Sequence, residues 1–484
     1  MKLGELVGLP PEHPSANIEI SGLSSDSRKT KAGDLFAALT GTLSDGRAFV
    51  DKAVQAGAAA ILAEPGLGDC GIPIIAVDNA RDALSKAAAR FYPRQPETII
   101  AITGTNGKSS TVDFLRQIWT FAGRAAASVG TLGAIGPKGR IDLGFTTPDP
   151  ISLHATLQGL ADEGITHIAM ESSSHALDQR RMHGVRLSAG GFSNLTQDHL
   201  DYHLTMEGYR EAKLRLFTDL LKPGQPAVVN ADAVEAQAFE DGAKAKGLDL
   251  KLVGWRGDYL KIVELWPKPA SQRVDLRFDN KTYPVEIPLI GEFQALNAVM
   301  AAGFALSLGE APDVVFEGLA ALKTVKGRME HIGGTAEGAH VFVDYAHTPD
   351  GLDVLLRAAR PHAPGRIILV FGCGGDRDKG KRPLMGALGA KYGDIVIVTD
   401  DNPRTEDAAT IRAEVLVGCP NALEIGDRGE AIQKGVELLE KGDCLLIAGK
   451  GHETGQLVNG TILPFSDQDT AAAALLARGG RLDQ

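Results

Sequence analysis

The chain has 484 residues and a formal net charge of −11, with 44% hydrophobic and 23% charged residues. That length is more than one hydrophobic core can organise, so typical domains of about 150 residues predict roughly three domains. The negative charge argues against non-specific nucleic-acid binding, which requires a basic face.

The cysteines are scattered, without a CxxC pair or metal-ligand spacing, at Cys70, Cys373, Cys419 and Cys444. This pattern argues against a disulfide or zinc framework. The opening segment MKLGELVGLP lacks a long apolar region, and no apolar run reaches the length of a membrane span. We therefore expect a cytoplasmic protein in a reducing compartment, without a membrane partner.

Residues 1–98 mix short apolar runs with turns and helical stretches, which predicts a small α/β unit. The segment FYPRQPETIIAITG then brings two prolines and a new apolar strand, which is typical of a domain boundary. Over residues 99–329 strands and helices alternate, and this pattern favours a mainly parallel sheet. Residues 259–289 alternate with period two instead, so we expect a few inserted antiparallel strands there.

Residues 330–484 contain the apolar strands HVFVDYA, RIILVFGCGG, DIVIVTDD and CLLIAGKG, each followed by a polar or Gly-rich loop. The pattern predicts a doubly wound α/β domain whose ligand lies at the carboxyl ends of these strands. Polar loops meeting at one sheet edge point to a binding site more strongly than any one loop does.

The segment IIAITGTNGKSSTVDFL places an apolar strand before a Gly-rich loop and a helix after it. Backbone N–H groups at such a helix start can hold phosphate, while Lys108 reaches the outer phosphates and the Ser109 hydroxyl can bind Mg²⁺. The strict P-loop pattern requires glycine where this chain has Ile102, but the strand–loop–helix context remains. The segment therefore predicts nucleotide binding.

A second strand end, IAMESSSHALDQRR, carries Glu171, and NLTQDHLDYH follows with His199 and His203. Two histidines at this spacing could lie on one helix face as zinc ligands. No HExxH motif is present and no third soft ligand is evident, so magnesium fits the acidic surroundings better. Taken alone, Lys213 in YREAKLRLF is typical of a solvated helix face.

In chain order the motifs GTNGKSS, ESSSH, NLTQDHLDYH, YREAKLRLF, GEFQALNA, GRME, DYAHTP, GCGGDRDKGKRPLM, DNPRTE and GKGHE resemble those of the Mur ligase family. The resemblance runs from about Ser25 to Glu453. It implies a three-domain α/β plan: a UDP-sugar-binding domain over 1–98, a P-loop-type ATP-binding domain over 99–329, and a Rossmann-like amino-acid-binding domain over 330–484.

The resemblance also implies an ATP-dependent amide ligase of cytoplasmic peptidoglycan precursor synthesis. The expected reaction adds meso-2,6-diaminopimelate to the D-Glu of UDP-N-acetylmuramoyl-L-alanyl-D-glutamate through an acyl phosphate. Such chemistry needs positioned phosphates and neutralised charge more than a covalent contribution from the protein. We expect ATP and Mg²⁺ as cofactors, and a monomer that binds neither nucleic acid nor a membrane.

The resemblance assigns roles to individual residues of this chain. The catalytic group would be Lys108, Glu171, His199 and Lys213, and the Mg²⁺ ligands Ser109, Glu171, His199 and Lys213 as a carbamate. A lysine ammonium would repel Mg²⁺, whereas a carbamate is an anionic oxygen ligand. The nucleotide contacts would be Gly104, Thr105, Asn106, Gly107, Lys108, Ser109, Ser110, Asn297, Arg328, Asp344 and His347.

Substrate contacts complete the implied site. Those to the UDP-sugar peptide would be Ser27, Thr42, Leu43, Ser44, Thr146, Thr147, Ser173, Gln179 and Arg181. Those to the incoming amino acid would be Arg377, Asp401, Asn402, Pro403, Arg404, Gly449 and Glu453. Many relatives carry Thr-Thr after the loop lysine, where this chain has Ser109 and Ser110, which retain the hydroxyls.

Arg404 lies in an acidic segment, VTDDNPRTED, after an apolar strand. The far end of meso-diaminopimelate offers one carboxylate and one ammonium. Arg404 can bind that carboxylate with its planar fork, helped by Asn402, while Glu453 takes the ammonium and Arg377 meets the other carboxylate. We interpret the segment as a filter against L-lysine, which lacks the distal carboxylate.

Three alternatives remain beside this interpretation. A sibling ligase would add L-lysine to the same acceptor, or glutamate to folate. A nucleotide-binding regulator would use ATP as a signal and leave Glu171, His199 and Lys213 without a task. A zinc hydrolase would be built on His199 and His203.

Overall fold

The computed structural model describes residues 1–41 and 45–483, and the fold is mixed α/β with parallel-rich sheets, as predicted. The chain forms two compact units, Met1–Leu252 with Ser307–Gly309 and Val253–Leu306 with Glu310–Gln484. No helix in the described part of the chain is long and apolar enough to cross a membrane.

The first sheet of the first unit is small, parallel and ordered along the chain. Its strands are β1 (Gly22–Ser24), β2 (Asp34–Ala37), β3 (Ala60–Ala63) and β4 (Ile74–Ala76). Around it lie a 3-10 helix (Gly46–Phe49) and the helices α1 (Leu3–Val7), α2 (Val50–Gln55) and α3 (Ala80–Phe91). Side chains of β2 and β3 are buried on both faces, which explains their continuous apolar runs.

The second sheet of this unit carries the predicted phosphate loop. Its strands are β5 (Thr98–Thr103), β6 (Ala126–Gly130), β7 (Gly133–Gly136), β8 (Gly139–Ile141), β9 (His167–Glu171), β10 (Ala189–Phe192), β11 (Pro226–Asn230) and β12 (Asp249–Gly254). The spatial order is β12–β11–β10–β5–β9–β6–β7–β8, and β11, β10, β5, β9 and β6 are parallel neighbours. The carboxyl ends of these strands therefore share one edge, and β5 and β9 bring the phosphate loop beside Glu171.

Six helices and one π-helical turn (Leu216–Leu220) accompany these strands. The helices are α4 (Lys108–Phe121), α5 (Pro150–Asp162), α6 (Ser174–Asp178), α7 (Leu200–His203), α8 (Met206–Arg215) and α9 (Ala236–Lys246). One apolar core joins strands and helices, including the stacked rings of Phe192 and Phe239, whose centroids are 3.5 Å apart.

The second unit begins with the antiparallel strands predicted over 259–289, and that prediction is confirmed. They are β13 (Leu260–Lys268), β14 (Ser271–Phe278) and β15 (Lys281–Ile287). Two helices follow, α10 (Glu292–Ser307) and α11 (Pro312–Ala320). The ring of Tyr283 on β15 packs 4.1 Å from that of Phe316 on α11.

The predicted doubly wound sheet lies in the remainder of this unit. Its strands are β16 (Glu330–Gly334), β17 (His340–Asp344), β18 (Ile367–Phe371), β19 (Ile395–Val398), β20 (Leu423–Glu424) and β21 (Cys444–Ala448), and a separate hairpin consists of β22 (Gly455–Val458) and β23 (Thr461–Pro464). With the terminal β24 (Arg481–Leu482), the sheet order is β20–β19–β18–β21–β17–β16–β24. Strands β17, β21, β18 and β19 are parallel neighbours in register, so the loops after them meet at one edge.

Helices cover both faces of this sheet and form two apolar cores. They are α12 (Pro349–Ala359), α13 (Lys381–Tyr392), α14 (Ala408–Leu416), α15 (Arg428–Glu437) and α16 (Asp467–Ala477), with a 3-10 turn at Arg360–His362. Side-chain oxygens cap the starts of most of them, because the first N–H groups of a helix lack partners within it. The capping residues are Thr348, Asp407, Asp427 and Ser466.

Candidate active site

The loop between β5 and α4 has the geometry of a phosphate-binding turn. Gly104 and Gly107 have φ values of 149° and 85°, which residues with a Cβ avoid. A Cβ on Gly104 would lie 2.0 Å from Ser193 Oγ, so this glycine is also required by close packing. Gly107 precedes α4, and the helix therefore begins with N–H groups directed towards the loop.

Two residues after β10 support this loop, and the sequence analysis missed both. Ser193 Oγ donates to the Asn106 carbonyl at 2.7 Å, and Asn194 Oδ1 accepts from the Asn106 amide at 2.9 Å. The Lys108 ammonium donates to the Gly104 and Thr105 carbonyls at 2.9 and 2.8 Å. The ammonium therefore lies over the loop, where a bound phosphate would meet it.

Glu171, at the carboxyl end of β9, is 2% exposed and forms the centre of an oxygen-rich cluster. Its Oε1 accepts from Ser109 Oγ and from the Thr131 amide, both at 2.8 Å, and its Oε2 accepts from Thr131 Oγ1 at 3.2 Å. A Cβ on Gly130 would lie 2.1 Å from Oε1, which leaves only glycine at that position. Hard oxygen donors of this kind suit Mg²⁺.

Lys213 on α8 is buried, with 1% of its surface exposed. Its Nζ donates to the Gly104 carbonyl at 2.7 Å and lies 4.4 Å from the centre of the Tyr209 ring. Burial lowers the pKa of Lys213 well below its usual value, and the Lys108 ammonium acts in the same direction. Burial thus disfavours the ammonium form of Lys213, and the neutral amine is the form that reacts with carbon dioxide.

The histidines of this region lie together around aromatic rings. The His199 ring is 4.8 Å from that of His175 and 6.1 Å from that of Tyr209, and the His203 ring is 5.2 Å from Tyr209. His199 has a φ of 52° at the start of α7. In the described ranges no group of three or more His, Cys, Asp and Glu residues is arranged to hold a metal ion.

Several residues predicted to contact the UDP-sugar peptide form one hydrogen-bonded chain. Thr147 Oγ1 donates to the Glu171 carbonyl at 3.0 Å and accepts from the Ser173 amide at 3.1 Å. Arg181 donates to the Thr147 carbonyl and to Gln179 Oε1, at 2.9 and 2.8 Å. Thr146 Oγ1 lies 3.0 Å from the hydroxyl of Thr131, which extends the chain to the Glu171 cluster.

A cavity of about 160 Å³ opens beside this chain of residues. It is lined by Ser25, Leu39, Arg81, Leu84, Phe145, Asp149, Pro150, Gln179 and Arg181. Burial lowers the pKa of Arg181, Asp149 opposes this effect and Arg81 adds to it. Of the predicted N-terminal contacts, Ser27 lies in the turn after β1, two residues from Ser25, while Thr42, Leu43 and Ser44 fall outside the described residues.

The second unit brings together the remaining predicted nucleotide contacts. Asn297 Nδ2 donates to Gln294 Oε1, and Gln294 Nε2 donates to the Arg328 carbonyl, both at 2.9 Å. The Arg328 guanidinium lies 4.6 Å from the centre of the Tyr345 ring. Neighbouring Asp344 and His347 flank that tyrosine, and His347 Nδ1 lies 2.9 Å from the Tyr345 carbonyl.

Asp344 is held by backbone amides at the end of β17. The amides of Met329 and Ala346 donate to its two oxygens at 2.6 and 2.8 Å. Burial raises the pKa of Asp344, although Arg328 and these amides oppose the rise. The loops GRME and DYAHTP therefore form one polar surface with Asn297.

The predicted amino-acid contacts gather at the ends of β18, β19 and β21. Asn402 Nδ2 donates to Glu453 Oε2 at 2.9 Å, and Arg404 Nη1 donates to the Gly375 carbonyl at 2.7 Å. Arg377 is exposed in the loop after β18, Asp401 and Pro403 are buried, and a Cβ on Gly449 would lie 2.7 Å from Asp401 Oδ2. The structure thus brings the two arginine-bearing loops together.

Lys450, which sequence reasoning missed, lies among these residues and is fully buried. Its ammonium donates to Asn402 Oδ1 and Glu453 Oε2, both at 3.1 Å. Burial by itself would raise the pKa of Glu453, but the Asn402 amide and the Lys450 ammonium outweigh it and hold that pKa below its usual value. Glu453 is therefore an ionised carboxylate at the end of β21.

Comparisons with known proteins give the family of the chain. Residues 19–92 match the Mur ligase family catalytic domain, residues 102–305 the Mur ligase middle domain, and residues 327–451 the Mur ligase glutamate ligase domain. The chain belongs to the Mur ligase family.

Two of the curated relatives match nearly the whole chain. Both are named UDP-N-acetylmuramoyl-L-alanyl-D-glutamate–2,6-diaminopimelate ligase. The relative from Chelativorans sp. (strain BNC1) is 51% identical over 482 residues, covering 99% of this chain and 100% of its own. The relative from Caulobacter vibrioides is 50% identical over 463 residues, covering 94% and 95%.

Solved structures show the same fold. A structure of UDP-N-acetylmuramoyl-L-alanyl-D-glutamate–2,6-diaminopimelate ligase matches with a TM-score of 0.76 and 32% identity, and covers 99% of both chains. The MurF ligase from Thermotoga maritima in complex with ADP matches with a TM-score of 0.61 and 20% identity, covering 95% of this chain and 97% of that one. At that identity the second match shows the fold alone.

Proposed function

We propose that this chain is an ATP-dependent ligase that joins meso-2,6-diaminopimelate to the D-Glu of UDP-N-acetylmuramoyl-L-alanyl-D-glutamate. The observation that carries the proposal is the identity to curated relatives of that name, 51% over 99% of this chain and 50% over 94% of it. The site adds support, because the phosphate loop, Glu171 and the two arginine-bearing loops all lie at the carboxyl ends of strands.

In the first step the D-Glu carboxylate attacks the γ-phosphorus of ATP, the bond to ADP breaks, and an acyl phosphate forms. The loop Gly104–Ser110 would hold the phosphates with its N–H groups, and Lys108 would offset the developing charge. Ser109, Glu171, His199 and Lys213 as a carbamate would hold Mg²⁺, which neutralises phosphate charge when bound. Asn297, Arg328, Asp344 and His347 would bind the base, ribose or phosphates.

In the second step the amine of the incoming amino acid attacks the acyl carbon. A tetrahedral intermediate forms and expels inorganic phosphate, and the amine loses a proton. Arg377 would bind one carboxylate of meso-diaminopimelate, while Arg404 with Asn402 would bind the other. Glu453, kept ionised by Asn402 and Lys450, would bind the distal ammonium of meso-diaminopimelate. The remaining contacts to the amino acid would come from Asp401, Pro403 and Gly449.

The acceptor would lie along Thr146, Thr147, Ser173, Gln179 and Arg181, with Ser27 as a further contact. We further propose three domains over 1–98, 99–329 and 330–484, and a monomeric enzyme. Its four cysteines are free thiols, which suits the reducing cytoplasm where ATP is available.

The test is phosphate release by the purified chain with ATP, Mg²⁺, the UDP-muramoyl dipeptide and meso-diaminopimelate, with each substrate omitted in turn. We expect release only when all are present, together with a product heavier than the acceptor by one diaminopimelate residue. Release without the amino acid would indicate a nucleotide hydrolase or regulator. Release with L-lysine or with a folate acceptor instead would indicate a sibling ligase.

A further inference from the structure

The loops that carry Arg377 and Arg404 are joined by a network of hydrogen bonds that the proposed reaction does not itself require. The first loop, residues 372–380, follows β18, and the second, residues 399–407, follows β19. We call their shared contacts the loop clamp, and define it by Asp376, Arg382, Thr405 and Glu406.

The buried centre of the loop clamp is Arg382 on α13, whose side chain has no exposed surface. Its guanidinium donates to both oxygens of Glu406, at 2.9 and 3.1 Å, and to the carbonyl of Gly374 at 3.3 Å. Glu414 accepts a further hydrogen bond from the Arg382 guanidinium at 2.7 Å. One buried cation therefore contacts both loops at once.

Glu406 carries the connection back to the first loop. Its Oε1 also accepts from the backbone amide of Asp376 at 2.6 Å. The hydrogen bond from Arg382, followed by that from the Asp376 amide, lowers the pKa of Glu406 to about 2. Glu406 is thus a charged acceptor at every pH at which the protein would be used, and charge-assisted hydrogen bonds are the stronger kind.

Asp376 and Thr405 add a second connection at the surface. Thr405 Oγ1 donates to the Asp376 carboxylate at 2.8 Å, and the Thr405 amide donates to the same carboxylate at 3.1 Å. Backbone contacts follow the same path, since the Gly375 amide donates to the Asn402 carbonyl at 2.9 Å. A Cβ on Gly375 would lie 1.9 Å from the Pro403 carbonyl oxygen, so the loops touch at backbone distance.

The backbone explains why such a connection is needed. Asp376, which precedes Arg377, has a φ of 52°, and Arg404 itself has a φ of 56°. Residues with a Cβ are unfavourable in this left-handed region and remain there only where their surroundings fix them. The loop clamp fixes Asp376, and the β22–β23 hairpin fixes Arg404, through hydrogen bonds from the Arg404 amide to Leu457 and from the Asn459 amide to Arg404.

We propose that Glu406 and Asp376 are positioning residues that hold Arg377 and Arg404 at a fixed separation, and so set affinity and selectivity for a donor with two carboxylates. The inference rests on the proposed function, because it concerns the same amino-acid site. Loops that are already ordered lose less conformational freedom when the ligand binds, and only a ligand that reaches both arginines benefits.

The test compares Glu406→Gln with Glu414→Gln in steady-state phosphate release. Both variants remove one carboxylate from Arg382, but Glu414 contacts neither loop. We expect Glu406→Gln to raise the KM for meso-diaminopimelate about tenfold, with the KM values for ATP and the UDP-muramoyl dipeptide within about twofold of wild type. We expect Glu414→Gln to leave all three KM values within about twofold.

Two further variants keep the test decisive if Glu406→Gln folds poorly. Asp376→Ala removes the carboxylate, whereas Asp376→Asn keeps an oxygen acceptor and a side chain that tolerates left-handed backbone. We expect a raised KM for meso-diaminopimelate in the alanine variant and rescue in the asparagine variant. Thr405→Val should also raise the KM for meso-diaminopimelate, since it removes the hydrogen bond from the Thr405 hydroxyl to Asp376.

Equal KM values for meso-diaminopimelate in wild type, Glu406→Gln and Asp376→Ala would overturn the inference and leave the proposed function standing. A proportional rise in all three KM values would also overturn it, because that is the result of a merely structural role. Absence of diaminopimelate-dependent release by wild-type protein would instead refute the proposed function, so the two failures are distinguishable.

Discussion

Lys213 Nζ donates a 2.7 Å hydrogen bond to the carbonyl of Gly104, so a buried lysine lies directly against the phosphate loop. Such a position disfavours a charged side chain. It therefore has consequences for both stability and activity.

Stability is expected to depend on pH through Lys213. Its pKa is lowered in the folded chain, so the unfolded chain binds one more proton between the folded value and about 10.4. Stability must then rise with pH in that window, by at most about 1.4 kcal/mol per pH unit. We expect wild-type protein in CO₂-free buffer to gain stability from pH 7 to pH 9 relative to Lys213→Met, measured by urea unfolding. Parallel pH profiles would contradict a buried, deprotonated amine.

Glu171→Gln is expected to weaken the binding of Mg²⁺. The substitution retains the shape of the side chain but removes the negative charge of the carboxylate, which accepts hydrogen bonds from Ser109 and Thr131. We expect the Mg²⁺ concentration for half-maximal phosphate release to rise about tenfold or more. The surface substitution Glu163→Gln in the same unit is the control. An unchanged Mg²⁺ titration would exclude Glu171 as a ligand.

Lys450→Met is expected to make amino-acid use sensitive to acid. Without the buried ammonium, the pKa of Glu453 rises, because only the Asn402 hydrogen bond and the smaller effect of His452 then oppose burial. The ionised carboxylate is lost as pH falls through its pKa, so the acid limb of kcat/KM for meso-diaminopimelate should move to higher pH. Lys434→Met removes an exposed lysine instead and should leave the profile in place. Superimposable pH profiles for all three proteins would show that Lys450 does not keep Glu453 ionised.

Asp467→Ala is expected to destabilise the second unit. The carboxylate forms a fully buried ion pair with Arg428, with both N–O distances at 2.7 Å, and Arg428 also donates to the Ala448 carbonyl at 3.1 Å. Removing one member of a buried pair typically costs about 3–5 kcal/mol. Thermal unfolding should show this loss, whereas Asp469→Ala on the exposed side of α16 should change stability by only about 0.5 kcal/mol. Equal melting temperatures for the two variants would contradict the buried pair.

Much of the fold was predictable because apolar runs mark buried parallel strands. RIILVF, DIVIV and CLLIA became β18, β19 and β21, and the period-two segment became β13–β15. The polar residues after these strands were predicted to meet, and they do so because parallel neighbours end at the same edge.

The buried cations could not be predicted from the sequence. Lysine and arginine side chains are usually solvated, and no local sequence pattern indicates that Lys213, Arg382 and Lys450 are buried. Each has a partner far along the chain: Gly104 is 109 residues from Lys213, Glu406 is 24 from Arg382, and Asn402 is 48 from Lys450. Only the tertiary fold brings these groups together, so local spacing carried no signal for them.

We propose that Arg404 selects a donor with a distal carboxylate. The most direct measurement is phosphate release by wild type and Arg404→Ala, each with meso-diaminopimelate and with L-lysine, at fixed ATP, Mg²⁺ and UDP-muramoyl dipeptide. We expect wild type to turn over meso-diaminopimelate but not L-lysine, and we expect Arg404→Ala to lose most of the turnover with meso-diaminopimelate. Equal use of L-lysine by wild type, or full activity of Arg404→Ala with meso-diaminopimelate, would contradict it.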